Sequence, residues 1–198
     1  MEYIYHQGES NQPLFVLLHG TGGNEESLLP IAEVLNNKAS ILAVRGTVSE
    51  HGALRYFKRL VEGLYDVEDL NQRGQELADF IIAFTKEKTI DLTSVVLIGF
   101  SNGANIAINL LLADKSPFRK ALLMAPMYPV DTCHLTESKD KTKVFISMGK
   151  NDPIVTQEES RAVVNLFTDR QAQVETYWVN SHEVTLESLT AAKIWLNK

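Results

Sequence analysis

Ser101 has the surroundings that speak most plainly of chemistry. It stands in Gly99-Phe100-Ser101-Asn102-Gly103, between a β-branched apolar run, Val95 to Ile98, and an alanine- and leucine-rich run, Ala104 to Ala113. The first run suits a strand buried on both faces and the second a buried helix. Glycines two residues either side of Ser101 remove the Cβ atoms that would collide where strand end and helix start close on each other. Such a turn, a nucleophile elbow, lifts the hydroxyl above the sheet edge. It also aims the first N–H groups of the helix, with their partial positive charge, at an oxyanion forming there.

A serine hydroxyl holds its proton at neutral pH, so nucleophilic chemistry requires a base within hydrogen-bond reach and a group that orients the base. Two later stretches supply them. Val144 to Met148 reads as a strand that runs into Gly149-Lys-Asn-Asp-Pro-Ile-Val155. An aspartate held between a glycine-entered turn and a proline just past a strand end is well placed to orient a histidine, which makes Asp152 the acid. Asp131, after the preceding strand, is the alternative. Val174 to Val179 reads as the last strand, and His182 follows it, completing the order Ser, Asp, His along the chain. The oxyanion donors are expected from the backbone N–H of Asn102 and from the glycine-rich loop His19-Gly-Thr-Gly-Gly23. In that loop Thr21 is the first choice and Gly22 the second. His19 is read as structural, its ring tied to nearby backbone groups. Cys133 has only His134 beside it and reads as an incidental thiol. Nothing here calls for a metal, a flavin or a nicotinamide.

The elements that must position these groups alternate between strand and helix patterns. Strands are expected at Glu2–His6, Leu14–Leu18, Ile41–Val44, Val95–Ile98, Lys120–Ala125, Val144–Met148 and Val174–Val179. Helical spacing marks crossovers through Leu28 to Leu35, Val67 to Lys88, Ala104 to Ala113, Glu158 to Phe167 and Leu186 to Leu196. Between Arg45 and Arg59 no clean period appears, and a long segment leaving a sheet edge reads as a binding loop. Arg45, Arg55, Tyr56 and Phe57 either shape a pocket there, or the arginines brace the loop against carboxylates. His51, in the same segment, reads as exposed. Met127 and Tyr128 overhang the sheet edge near Ser101, where they either line an acyl pocket or cover the core. Trp178 and Trp195 read as core residues.

Whole-chain properties bound the rest. A length of 198 residues suits one domain spanning 1–198. A net charge of -6 gives no electrostatic reason to expect nucleic acid as a partner. The first residues lack the basic and apolar segments of a signal peptide, and no apolar run reaches membrane-spanning length. One cysteine cannot form an internal disulfide, and a single thiol fits a reducing, cytoplasmic setting. The expected partner is a small-molecule ester, and the sequence leaves open whether the chain forms a homodimer.

Taken together, Leu18-His-Gly-Thr-Gly-Gly23, Gly99-Phe-Ser-Asn-Gly103, Gly149-Lys-Asn-Asp-Pro-Ile-Val155 and His182 resemble the phospholipase/carboxylesterase group of α/β-hydrolases, kin of the acyl-protein thioesterases. The resemblance covers essentially the whole chain. Arg45-Gly46, Glu50, Gly52 and Arg55-Tyr-Phe57 further resemble a bacterial subgroup linked to hydroquinone and catechol resistance. It implies an α/β-hydrolase fold, with a mostly parallel sheet of about six to seven strands and helices on both faces. No large cap domain is expected, since no long insertion follows Lys120–Ala125. Two positions depart from the group: Ser181 stands where glycine is frequent before the histidine, and Asn102 where thioesterases often carry glutamine, which would change a pocket side chain. The leading expectation is a serine carboxylesterase acting on small acyl or aromatic esters. A lysophospholipase or thioesterase of long acyl chains is the second reading, and a non-catalytic binding or sensor protein that keeps the fold is a third.

Overall fold

The computed structural model describes residues 1–61 and 63–198. In chain order the strands and helices are β1 (Tyr3–His6), β2 (Leu14–Leu18), α1 (Leu29–Asn36), β3 (Ser40–Val44), β4 (Val48–Glu50), β5 (Ala53–Arg55), β6 (Arg59–Val61), β7 (Leu64–Tyr65), α2 (Val67–Glu87), β8 (Val95–Phe100), α3 (Asn102–Leu112), β9 (Lys120–Met124), β10 (Lys143–Gly149), α4 (Gln157–Thr168), β11 (Gln173–Val179) and α5 (Leu186–Leu196). Seven strands form one sheet in the order β1-β3-β2-β8-β9-β10-β11. Only β1 runs antiparallel, against β3; the other pairs are parallel.

Parallel strands joined by helical crossovers are covered on both faces, which is why the central ones read as unbroken apolar runs. β2 is buried at every residue, Leu14 to Leu18. Side chains alternate across the sheet, so neighbours in one strand enter different cores. Val16, Leu97, Leu123 and Ile146 pack with α2, α3 and α4. Phe15, Ile98, Leu122 and Phe145 pack with α1 and α5. Trp195 lies in the second core, packed against Phe145, whereas Trp178 is only partly buried and lies under the Arg161 guanidinium.

The chain leaves β2 toward β3 on one side and leaves β8 toward β9 on the other. This reversal opens a crevice at the C-terminal ends of β2 and β8, the place where such sheets bind ligands. The segment expected as a loop, 45–59, contains more order than its sequence pattern suggests. β4 pairs with β5, and β6 with β7, as two small antiparallel ribbons beside the crevice. Strands of two or three residues are too short to show a period, so no alternation marked them. No helix among the described residues is long and apolar enough to cross a membrane.

Candidate active site

At the end of β8 the backbone turns into α3 through Ser101, at φ 50° and ψ -117°. Positive φ is unusual for a residue with a Cβ and is held only where the surroundings over-determine it. They do so here: Ser101 N–H donates to the Met124 carbonyl at 2.8 Å, and the Ser101 carbonyl accepts from Asn105 N–H at 3.0 Å. A Cβ on Gly99 would lie 2.6 Å from the Ala104 backbone nitrogen, and one on Gly103 would overlap the Leu18 carbonyl oxygen. The two glycines thus let α3 approach its own strand and the neighbouring β2. Ser101 occupies the N-cap position yet its side chain makes no capping bond, so its hydroxyl is uncommitted.

Two further loops meet beside this turn. His182 Nδ1 lies 2.7 Å from Asp152 Oδ2, and the carboxylate can only accept, so Nδ1 carries the proton and Nε2 is left as the basic nitrogen. The other carboxylate oxygen, Oδ1, accepts from Ile154 N–H at 2.8 Å and Val155 N–H at 3.0 Å. The Asp152 side chain is 1% exposed and that of His182 12%. Both loops extend the β10–β11 ladder past its last strand pair. Lys150 N–H donates to Val179 O at 3.0 Å and Asn151 N–H to Asn180 O at 2.7 Å. The Asn151 and Asn180 side chains bond as well, at 2.9 Å. A Cβ on Gly149 would collide with the Ser181 carbonyl, so the glycine is what lets the loops close. Ser181 is absent from the non-glycine residues at positive φ, and its N–H donates to Glu183 Oε1 at 3.0 Å. The position therefore does not require glycine. His182 packs against Phe100, the residue before Ser101, with ring centroids 5.1 Å apart.

The loop after β2 faces this constellation. Gly22 N–H donates to Leu54 O at 2.9 Å and Gly23 N–H to Gly20 O at 3.0 Å, which removes both as free donors. Among the described residues the N–H groups of Thr21 and Asn102 have no partner within the chain. His19 is buried, its Nδ1 2.7 Å from the Gly20 carbonyl, to which it donates, and its Nε2 accepts from Gly46 N–H at 3.0 Å. Burial lowers its pKa, and a neutral ring with one donor and one acceptor suits both partners. Tyr56 lies against this ring: its hydroxyl donates to Val44 O at 2.6 Å and accepts from His19 N–H at 3.0 Å.

The pocket reading of several residues is corrected. Arg45 is a brace, its guanidinium gripping Glu25 at 2.5 and 2.6 Å and pairing with Glu2. Those hydrogen bonds hold the Glu25 carboxyl below the usual carboxylate range. Phe57 is wholly buried against Tyr65 and has no surface to offer a ligand. Asn102 does not change a pocket side chain, because it is 1% exposed and its Oδ1 accepts from Tyr56 N–H at 2.8 Å. Met127 and Tyr128 are each 8% exposed. Backbone groups of Met127 bond Asn105 and Tyr65, and the Tyr128 hydroxyl bonds Asn109 beside a cavity of about 440 Å³ between α2 and α3. Asp131, the alternative acid, accepts from Cys133 N–H in its own turn, and it is Asp152 that bonds His182. Missed in the sequence were the Ile154 and Val155 donors, although the Asp-Pro turn that precedes them is their signal.

Comparison with known proteins gives a consistent result. The chain matches the phospholipase/carboxylesterase family over residues 1–198. It is 40% identical to the protein MhqD of Bacillus subtilis (strain 168) over 196 residues, 98% of this chain and 97% of that one. The Bacillus cereus carboxylesterase superposes with a TM-score of 0.95 at 41% identity, covering 100% of this chain and 93% of that one. YahD, solved with malic acid, superposes with a TM-score of 0.93 at 33% identity, covering 99% and 98%. The chain belongs to the phospholipase/carboxylesterase family of α/β-hydrolases.

Proposed function

We propose that the protein is a serine carboxylesterase that cleaves small carboxylic esters through an acyl-enzyme, with Ser101 as nucleophile, His182 as base and Asp152 as the acid that orients it. The observation that carries this reading is the uncommitted Ser101 hydroxyl on a positive-φ turn, set beside a His182 ring whose Nδ1 is bound to a buried Asp152.

The chemistry follows from the protonation states. His182 Nε2 takes the proton from Ser101 Oγ as the oxygen attacks the ester carbonyl, and the imidazolium so formed is stabilised by the Asp152 carboxylate. The second Asp152 oxygen receives two backbone N–H bonds, which fix the carboxylate in the orientation that faces His182 Nδ1. Negative charge developing on the carbonyl oxygen meets the N–H groups of Thr21 and Asn102, each donor being worth about a hundredfold or more in rate. His182 then returns the proton to the departing alcohol, and water, activated by the same nitrogen, releases the acid.

Small substrates are supported by the relative YahD, whose structure holds malic acid. The test is hydrolysis of p-nitrophenyl esters from acetyl to palmitoyl by the wild type and Ser101→Ala. An optimum at short chains, lost in the variant, is expected. An optimum at long chains would replace the small-ester reading with lipid or thioester work, and equal inactivity with no labelling of Ser101 by a fluorophosphonate would favour a non-catalytic role.

A further inference from the structure

Arg55 is a buried cation with little negative charge around it among the described residues. The residue is 4% exposed. Its Nη1 donates to Thr21 Oγ1 at 2.7 Å, and its Nε lies 3.4 Å from the Phe57 carbonyl. The carboxylate beside it among the described residues is Glu50, 3.5 Å from Nε. That carboxylate is already engaged by Arg59, whose Nε is 3.0 Å from both of its oxygens. Among the described residues two guanidinium groups therefore share one carboxylate, whereas Arg45 pairs with two. Nη2 of Arg55 has no hydrogen-bond partner among the described residues.

The location gives this surplus charge meaning. Thr21, which Arg55 holds, carries the free N–H of the β2 loop, and Tyr56, the next residue, is bonded through its own N–H to Asn102 beside the nucleophile. The guanidinium thus stands at the rim of the proposed oxyanion hole. Holding a threonine hydroxyl requires one neutral donor. A buried guanidinium is a costly way to supply it, since desolvation of the charge is repaid only by close ionic partners. Burial indeed lowers the Arg55 pKa. An anion arriving with the substrate would supply the partner that the described residues do not.

We propose that Arg55 is a specificity residue that pairs with a carboxylate on the substrate, so that the preferred esters are half-esters of short dicarboxylic acids. This rests on the serine-esterase reading above. The reaction is ordinary hydrolysis: the ester C–O bond breaks, the alcohol takes a proton from His182, and water supplies the oxygen and proton of the second carboxylic acid.

The experiment compares monomethyl glutarate with dimethyl glutarate, which differ by one negative charge. The wild type is expected to favour the half-ester in kcat/KM by about tenfold or more, the scale of a charge-assisted hydrogen bond, and to lose part of that preference as salt is raised. Arg55→Gln should lower kcat/KM about thirtyfold to a hundredfold on the half-ester and at most a few-fold on the diester. Arg55→Lys keeps the charge but not the fork, and should give a smaller loss confined to the half-ester; it also serves if Arg55→Gln fails to fold. Equal losses on both esters, or no preference in the wild type, would reduce Arg55 to a brace for Thr21 and overturn the proposal. Calorimetric binding of the same two esters to Ser101→Ala separates this inference from the one beneath it. Arg55-dependent binding of the half-ester without turnover in the wild type would strike only the esterase reading. Turnover of both esters with no binding preference would strike only this one.

Discussion

At Ser101 the backbone is held where a non-glycine residue sits at a cost of about 1–3 kcal/mol, and its hydroxyl makes no capping bond to α3. The same concentration of constraint is seen at Asp152, whose two oxygens are divided between a histidine and two backbone donors. Asp152→Asn would keep the shape but offer an amide where a carboxylate held the His182 tautomer. It is expected to lower kcat by about a thousandfold to ten-thousandfold with little change in KM, and unchanged kcat would remove Asp152 from the mechanism. His19 makes a different demand. Burial lowers its pKa in the fold, so between that lowered value and the ordinary histidine value near 6.5 the unfolded chain binds the extra proton. Stability therefore rises with pH through this window and falls as the solution is acidified through it. Urea titrations at pH 7.5 and 5.5 should show a larger acid loss for the wild type than for His19→Gln, and equal losses would mean His19 is charged in the fold. Ser101 and Asp152 are legible in the sequence because each stands at a strand end with glycine or proline beside it, and His182 because it follows the last strand and completes the order Ser, Asp, His. Arg45 and Arg55 could not be told apart in this way, since one residue type serves as brace or as free cation according to which carboxylates the fold brings near.

At the level of elements, the segment Val44–Phe57 works as a strap across the β2 loop and the elbow. Leu54 O takes the Gly22 N–H, Tyr56 N–H reaches Asn102, and the Tyr56 hydroxyl joins Val44 O to His19 N–H. Gly46 lets the strap fold back on itself, for a Cβ there would collide with the Arg55 carbonyl. Burial pushes the Tyr56 phenol pKa far up, so it stays a neutral donor at any working pH. Tyr56→Phe deletes one hydroxyl but strands two buried backbone groups, and a loss of about 1–3 kcal/mol in stability is expected. Because His19 begins the loop that carries Thr21, kcat should fall as well while KM for small esters changes less. An unaltered kcat alongside the stability loss would show that the strap holds the fold and not the oxyanion loop. This device was hidden in the sequence for two reasons. Its ribbons are too short to display a period, and its bonds join residues as far apart as Tyr56 and Asn102. The elbow was visible because its strand, turn and helix are consecutive.

For the molecule as a whole, the decisive feature is that one sheet serves two cores. In β9, Leu122 faces α1 and α5 while Leu123 faces α2, α3 and α4, and both are essentially inaccessible to solvent. The same alternation recurs at Phe15 and Val16, at Leu97 and Ile98, and at Phe145 and Ile146. Neither core can dissolve without disturbing strands that hold the other, and the loops bearing Thr21, Ser101, Asp152 and His182 all leave those strands. Loss of packing on either face is therefore expected to be felt as one event. Leu122→Ala and Leu123→Ala should each cost about 2–5 kcal/mol, the range for emptying a leucine-sized site in a close-packed interior. Both should shift a single urea transition followed by near- and far-ultraviolet circular dichroism and by esterase activity, with the slope unchanged. A variant in which activity and near-ultraviolet signal vanish well before the helices would mean that the two faces unfold separately. In that case the site would depend on one core alone, and the strap and the loops bearing Ser101, Asp152 and His182 would have to be treated as anchored to different halves of the protein.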